Sequence, residues 1–471
     1  MSYRSNIGRA VSAARRLAAA RGIGVFALAF WNLPTSSNAA DSQPTSDTGL
    51  SYRGITLYGV VDLGVQYQTH GAPISDYFSG GSGEIIQRYD VQSILGVTPS
   101  NLTQSKLGLS GIEPIVDELS AVFKVETYFN PQSGQLVDAL KSLTLNNGKP
   151  LAEQSTNLDS SMAGQVFQQS FAGLQSRQYG TVTYGRQNSL LADGIGVHDP
   201  NAGAQAFSLL GLSGTAAGGG DTEDRRLDSA LKYEVYFRDL IRLGALYRFK
   251  DANEGSHTVT QASLGVEHFG LSVDGYYARA KDGVAHSTLT AAQVTALSAF
   301  GLSSSQSVAG TVSDNTTYSV MSHYQLRLVG LYAAYERVRY TDSSVPLSIG
   351  DDAIGGYKLG AVDNNAFLRP RILNIYWAGA QMDLRPVQFV AAYYGYHQGD
   401  YGIGADADCS TGVSKTCSGA LDDFSVSANW RVTRRFTIYS GAMYSRVRGG
   451  LANGYLHTTD LTTTTGWRFT I

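Results

Sequence analysis

Residues 54–67 read GITLYGVVDLGVQY, and the fold follows from their alternation. Ile55, Leu57, Gly59, Val61, Leu63, Val65 and Tyr67 fall on one parity. Thr56, Tyr58, Val60, Asp62, Gly64, Gln66 and Gln68 fall on the other. Side chains of a β-strand point alternately to its two faces, so the segment is a strand with one apolar face and one largely polar face. Its length exceeds the roughly 9–11 residues that cross a bilayer on a tilt.

Similar segments recur to the last residue, clearly at 121–130, 227–237, 241–250, 262–267, 424–432 and 461–471. In 227–237, Leu227, Leu231, Tyr233, Val235 and Phe237 oppose Asp228, Lys232 and Glu234, with Arg226 in register just before them. In the last segment Leu461, Thr463, Thr465, Trp467, Phe469 and Ile471 oppose Thr462, Thr464, Arg468 and Thr470. All such runs together number about sixteen, an even count as a closed single-chain bacterial barrel requires. Between them short turns alternate with long loops. The turns lie near 177–180, 238–240, 268–270, 325–327, 384–386 and 432–435. The loops lie near 69–103, 131–165, 189–225, 282–314, 342–369 and 399–420. This alternation predicts an all-β transmembrane barrel at 53–471, with tight turns on one side and long loops on the other. A soluble β-sandwich gives no reason for it. Closure also removes the unpaired strand edges that lipid would penalise.

Composition agrees. Charged residues make up 16% of the chain, against roughly 25% in ordinary soluble domains. Gly (53) and Tyr (28) are abundant, while Pro (11) and Cys (2) are scarce. Mean hydropathy is −0.13, and no apolar run approaches the roughly 18–20 residues of a spanning helix. Ahead of the barrel, Arg4, Arg9, Arg15, Arg16 and Arg21 precede an apolar run at 22–31 and the small residues Ser37, Asn38, Ala39 and Ala40. Residues 1–39 therefore read as a secretory signal peptide and 40–52 as a short polar segment. Loss of those five arginines takes the formal charge from −3 to about −8, so no nucleic-acid surface is indicated. Export reaches an oxidising compartment, where Cys409 and Cys417, eight apart in a polar loop, can form a disulfide.

Three stretches resemble the trimeric, sixteen-stranded general diffusion porins of Gram-negative bacteria. They are GITLYGVVDLGVQY at 54–67, QSKLGLSGIEPIVDELSAVFKVETYFN at 104–130 and QQSFAGLQSRQYGTVTYGRQ at 168–187, with a weaker fourth, RLDSALKY, at 226–233. The resemblance implies a homotrimer in the outer membrane, in contact with lipid and lipopolysaccharide and inserted by the barrel-assembly machinery. It implies a water-filled channel for passive diffusion of small hydrophilic solutes and ions. It further implies that the third long loop, here 190–225, folds into the lumen and narrows it. That loop carries Asp193, Asp199, Asp221, Glu223 and Asp224, and the matching wall positions hold Lys106, Gln168 and Arg226. Opposed charges there would set a transverse field.

The chain departs from the family where Gln168 replaces the usual arginine and Val60 a frequent basic residue. On the inward parity, Lys106, Lys124, Arg226, Lys232, Arg242, Arg248, Lys250, Arg431 and Arg468 nearly balance Asp62, Glu126, Asp228, Glu234, Glu267, Asp274 and Asp423. Weak charge selectivity is therefore expected. Arg186 shares parity with Val182 and Tyr184, which points it outward, as a latch to a neighbouring subunit or to lipopolysaccharide, or as a side chain snorkelling to water. Residues 289–300, LTAAQVTALSAF, have helical spacing within a loop. Trp467, Phe469 and Ile471 form an alternating C-terminal assembly signal, although relatives usually end on Phe.

The eight His include no HExxH and no pair at ligand spacing, and no nucleotide fingerprint or catalytic set stands out, so neither cofactor, metal nor enzyme is indicated. A substrate-specific channel is the alternative, with Tyr394, Tyr396 and Tyr439 as candidates for an aromatic track. A surface adhesin or a barrel enzyme is a more distant one.

Overall fold

The computed structural model describes residues 50–72, 85–155, 165–212, 226–238, 240–249, 258–402 and 417–471. Sixteen strands build one sheet. The first eight are β1 (Ile55–Gly71), β2 (Gln92–Pro99 continued by Lys106–Val116), β3 (Leu119–Tyr128), β4 (Gln169–Ser176), β5 (Gly180–Asn188), β6 (Arg226–Phe237), β7 (Ile241–Arg248) and β8 (Thr258–His268). The rest are β9 (Leu271–Ser287), β10 (Ser307–Gln325), β11 (Val329–Asp342), β12 (Arg371–Leu384), β13 (Val387–Gln398), β14 (Gly419–Arg431), β15 (Phe436–Gly449) and β16 (Thr459–Thr470). Each pairs antiparallel with the next. The sheet closes where β1 meets β16, from Val60 opposite Thr470 to Gln68 opposite Thr462.

The parity read from sequence is the parity of the wall. On β14, Phe424 and Val426 are 54% and 58% exposed while Asp423 and Ser425 are 0% and 3%. The outer face is thus apolar and bare, and the buried side chains lie inside the barrel. The connections on one rim are two to four residues long. Phe269 and Gly270 join β8 to β9 with φ of 49° and 79°, the two left-handed residues of a type I′ hairpin. The long connections all leave the opposite rim.

Two expected loops are shorter than the sequence suggested. Residues 92–99 belong to β2, because they pair with 63–71 of β1 beyond a break in the strand. β9 and β10 run on to Ser287 and back from Ser307, because their pairing resumes past a bulge between Ala280 and Gly283. Inside the remaining loop between β9 and β10, Ala291–Ala296 is helical and continues as a single tighter turn to Phe300, and Thr290 closes a reciprocal capping box with Gln293.

Leu227 corrects the parity expected of β6. A register shift between Gly185 and Gln187, with Ser229 at φ 48°, inserts a bulge that turns Leu227 inward. There it packs with Leu190, Ala230, Leu246, Val259 and Ala280. Just beyond the bulge Leu231 and Tyr233 are exposed and Lys232 is buried, as expected, whereas Val235 is buried.

Candidate pore constriction

The third long loop enters the lumen directly after β5. Ser189 caps a helix, α1 (Leu190–His198), by accepting from the Ala192 N–H. Leu190, Leu191 and Ile195 are buried against the wall. Gly194 permits that approach, since a Cβ there would stand 2.4 Å from the Tyr276 hydroxyl. Asp193, in the first turn, where an acid complements the helix dipole, pairs with Lys232 of β6 and accepts from Asn188 Nδ2 at 3.0 Å. Glu234 lies 3.4 Å from the same Lys232 ammonium. At the other end of α1, His198 Nε2 meets Asp274 Oδ2 of β9 at 2.5 Å, and Arg242 of β7 holds that carboxylate at 2.8 Å.

From there the loop runs along the wall of β12 to β15. Trp377 Nε1 donates to the His198 carbonyl at 2.9 Å, and Gln381 Nε2 to that of Pro200 at 2.6 Å. Asp199 accepts from Ser208 Oγ, the Tyr394 hydroxyl and the Gly203 N–H, each at 2.6 Å, and from the Asn201 N–H at 3.1 Å. Burial lifts its carboxyl above the ordinary range, and those four donors pull the other way. Phe207 stands edge-on to Tyr439, and the Ala206 N–H reaches the Asn101 carbonyl at 3.0 Å. The loop therefore crosses the lumen from β5 to the inward kink of β2 at 100–105. That kink is itself held by Asp62, which accepts from the N–H groups of Leu102 and Thr103 at 2.8 and 2.9 Å and from the Tyr439 hydroxyl at 2.5 Å.

The remaining wall, β1 to β6, carries the charge. Glu126 is its hub, 3.1 Å from Lys106 Nζ and 3.9 Å from Lys124 Nζ, with the Tyr58 hydroxyl donating at 2.9 Å. Arg226 stacks 4.6 Å from the Tyr128 ring centroid and donates to its hydroxyl, while Lys106 lies 5.9 Å from the same ring. Gln168 is buried nearby, its backbone N–H on the Glu126 carbonyl at 2.8 Å. The expected wall residues Lys106, Gln168 and Arg226 are thus neighbours.

The loop acids are arranged otherwise than expected. Asp193 meets Lys232 instead of Lys106 or Arg226, and Asp199 is enclosed in the loop's own docking network. Asp221, Glu223 and Asp224 lie outside the described residues, as does Cys409, the expected partner of Cys417. Arg186 pairs with Asp228 at 2.5 Å and reaches Gln168 Oε1 at 3.5 Å, so its charge is met within the chain. Tyr394 and Tyr439 place their hydroxyls on Asp199 and Asp62, which makes them anchors of the loop. Among the described residues no group of three His, Cys, Asp or Glu has the geometry of a metal site. Sequence reasoning put Glu126, Lys232 and Asp274 on the inward parity but missed their pairing. For His198, a loop residue, the sequence carried no signal.

A family model described as Gram-negative porin matches residues 24–450. An outer membrane porin protein of Bordetella pertussis is 22% identical over 210 residues, 45% of this chain and 46% of that one, so the chain spans about half the length of the curated relative it matches. Among solved structures, an anion-selective porin from Comamonas acidovorans superposes with a TM-score of 0.56 at 14% identity, covering 88% of this chain and 99% of that one. The trimer form of OmpT, an outer membrane protein of Vibrio cholerae, gives 0.53 at 13% identity, over 88% and 99%. The fold is therefore shared with both, and the family match settles the relationship. The chain belongs to the Gram-negative porin family of the outer membrane.

Proposed function

We propose that the chain forms a water-filled channel through which small hydrophilic solutes and ions diffuse passively, with weak charge selectivity leaning slightly to cations. The observation that carries this reading is the Glu126 hub. A carboxylate set between Lys106 and Lys124 offsets much of the positive field that those lysines would otherwise present. On β6, Lys232 likewise meets Asp193 as a pair. A nearly balanced wall biases ions little. In planar bilayers, conductance should rise almost linearly with salt and the reversal potential in a salt gradient should stay small. Saturation with a particular solute would instead favour the substrate-specific channel.

The same reading takes the working form as a homotrimer in contact with lipid and lipopolysaccharide, a channel without catalytic activity. Residues 1–39 are its removable signal peptide, 40–52 a short lead-in and 53–471 the barrel. Cys409 and Cys417 form a disulfide in the loop near 399–420. Asp221, Glu223 and Asp224 add negative charge to the constriction opposite Arg226. Trp467, Phe469 and Ile471 are the signal read by the barrel-assembly machinery; in support, Phe469 lies opposite Val61 in the closing seam and the Ile471 N–H donates to Gly59 at 2.9 Å.

A further inference from the structure

The second long loop does not stay above its own strands. Directly after β3 it turns back on itself, with Phe129 bridged to Leu136 and the Val137 N–H on the Tyr128 carbonyl at 3.4 Å. A helix, α2 (Ala139–Leu145), then starts close to the top of β3, capped by Asp138. Leu140 and Leu143 pack with Val284, Val308, Val312 and Leu359. Those partners belong to the crests of β9 and β10, at least six strands further round the wall, and to the loop between β11 and β12. A helix of seven residues spans only about 10 Å, far less than the width of a sixteen-stranded barrel. The crests must therefore lean inward over the mouth to meet it. The bulge past Ala280, with Asp282 at φ 55°, supplies the bend. Residues 307–311 of β10 also pair in parallel with the short strand Tyr357–Asp363, which widens the crest into a small sheet.

The contact is polar as well as apolar. The Tyr357 hydroxyl donates to Asp138 Oδ2 at 2.7 Å. Asn147 Nδ2 donates to the carbonyls of Ser304 and Ser307 at 2.7 and 2.6 Å, and its Oδ1 accepts from the Leu289 N–H at 2.8 Å. The Gly148 N–H closes the set on the Leu289 carbonyl at 2.9 Å. We infer that the second loop and the β9–β10 crest form a latched roof over the extracellular mouth of the same subunit, a size filter in series with the third loop.

This inference rests on the channel reading for its transport consequence, but its geometry is tested without transport. A Cβ built on Gly148 stands 3.8 Å from Val294 Cβ, the separation of a disulfide. In the assembled full-length protein, Gly148→Cys with Val294→Cys should oxidise to a cross-link within one chain, leaving the denatured, non-reduced protein at monomer mass. Gly148→Ala carries the same backbone cost at φ 73° and serves as the folding control. A cross-link between chains, or none in a folded barrel, would overturn the roof. The transport arm uses Tyr357→Phe and Asn147→Ala, singly and together, in liposome swelling. Entry of a tetrasaccharide relative to a monosaccharide should rise at least about twofold in any variant that assembles, and an unchanged ratio would equally overturn it. A wild-type protein that passes no sugar would sink the channel reading instead, whatever the cross-link shows.

Discussion

Glu126→Gln tests the balance of the constriction with the least disturbance to its shape. The substitution keeps the volume of the side chain and its capacity to accept from Tyr58, but removes the negative charge that lies 3.1 Å from Lys106 and 3.9 Å from Lys124. The local sum becomes more positive by one unit charge. For an ion passing about 7 Å away in water, one unit charge is worth roughly 0.6 kcal/mol, about RT. With a Debye length of about 10 Å at 0.1 M salt, roughly half of that survives. The effect acts with opposite signs on anions and cations, so the anion-to-cation permeability ratio should rise by about threefold.

In a tenfold salt gradient a ratio moving from about 1 to about 3 shifts the reversal potential by roughly 20 mV toward the anion side. At 1 M salt the Debye length is about 3 Å and the shift should nearly vanish. The assay is single-channel recording in planar bilayers, with unchanged heat-modifiable assembly as the control for folding. An unaltered reversal potential at 0.1 M would show that permeating ions do not pass the Glu126 hub, and the placement of the constriction on the β2–β6 wall would be wrong.

Four further outcomes follow from named contacts. Lys232→Met should move the reversal potential toward cations and Asp193→Asn toward anions, with the double variant near wild type; because Asp193 and Glu234 are a third or more exposed, the coupling in unfolding experiments should be only about 1 kcal/mol. Leu191→Ala, at a fully buried site in the third loop, should cost about 2–4 kcal/mol by denaturant titration in detergent, and a smaller loss than that of Lys232→Met would contradict docking of the loop by apolar contact. Leu231→Arg places a charge on the bare outer face and should cost about 2–4 kcal/mol near the bilayer midplane, seen as loss of assembled barrel in outer-membrane fractions. Because burial raises the Asp199 carboxyl, its contribution to stability is full below the ordinary carboxylate range near about 3.9 and is lost as pH rises through the raised value. Asp199→Asn should therefore flatten the fall in unfolding midpoint between acidic and neutral pH, and an identical slope in both proteins would count against it.

The barrel was legible because its rule is local. A strand that faces lipid on one side and water on the other must alternate, so 54–67 shows a period of two without reference to its neighbours. Turn and loop sizes add direction. The candidate site is less legible because it is made of pairings between strands and a loop whose path no period encodes. Glu126 sits on the inward parity as one acid among several; only the register opposing Lys106 to Tyr128 and Ser110 to Lys124 brings it between two lysines. The bulge at Ser229 breaks the rule outright, and a single extra residue is enough to send Leu227 inward.

Several strands that are hard to read from sequence lie against the third loop, and the two facts have one cause. On β11, β12, β13 and β15 the inward parity holds Val338, Tyr340, Leu373, Ile375, Trp377, Tyr394, Tyr396, Met443 and Val447, all buried. Apolar groups then occupy both parities and the alternation fades. A water-filled lumen gives no reason for such residues, so they mark where water has been displaced. The displacing groups are Leu191, Ile195, Leu209 and Leu210 of the third loop, with Ile85 and Ile86 of the first. Each buried side chain of this size contributes about 1.5–3 kcal/mol. A partly exposed ion pair such as Lys232 with Asp193 contributes about 0–1 kcal/mol. The apolar footprint therefore decides which wall the loop lies against, and the ion pairs adjust where along it the charges fall. Loss of alternation on the lumen parity is thus a readable signal: it locates the docking wall, and leaves β1 to β6, where the contrast persists, as wall that the apolar footprint does not cover.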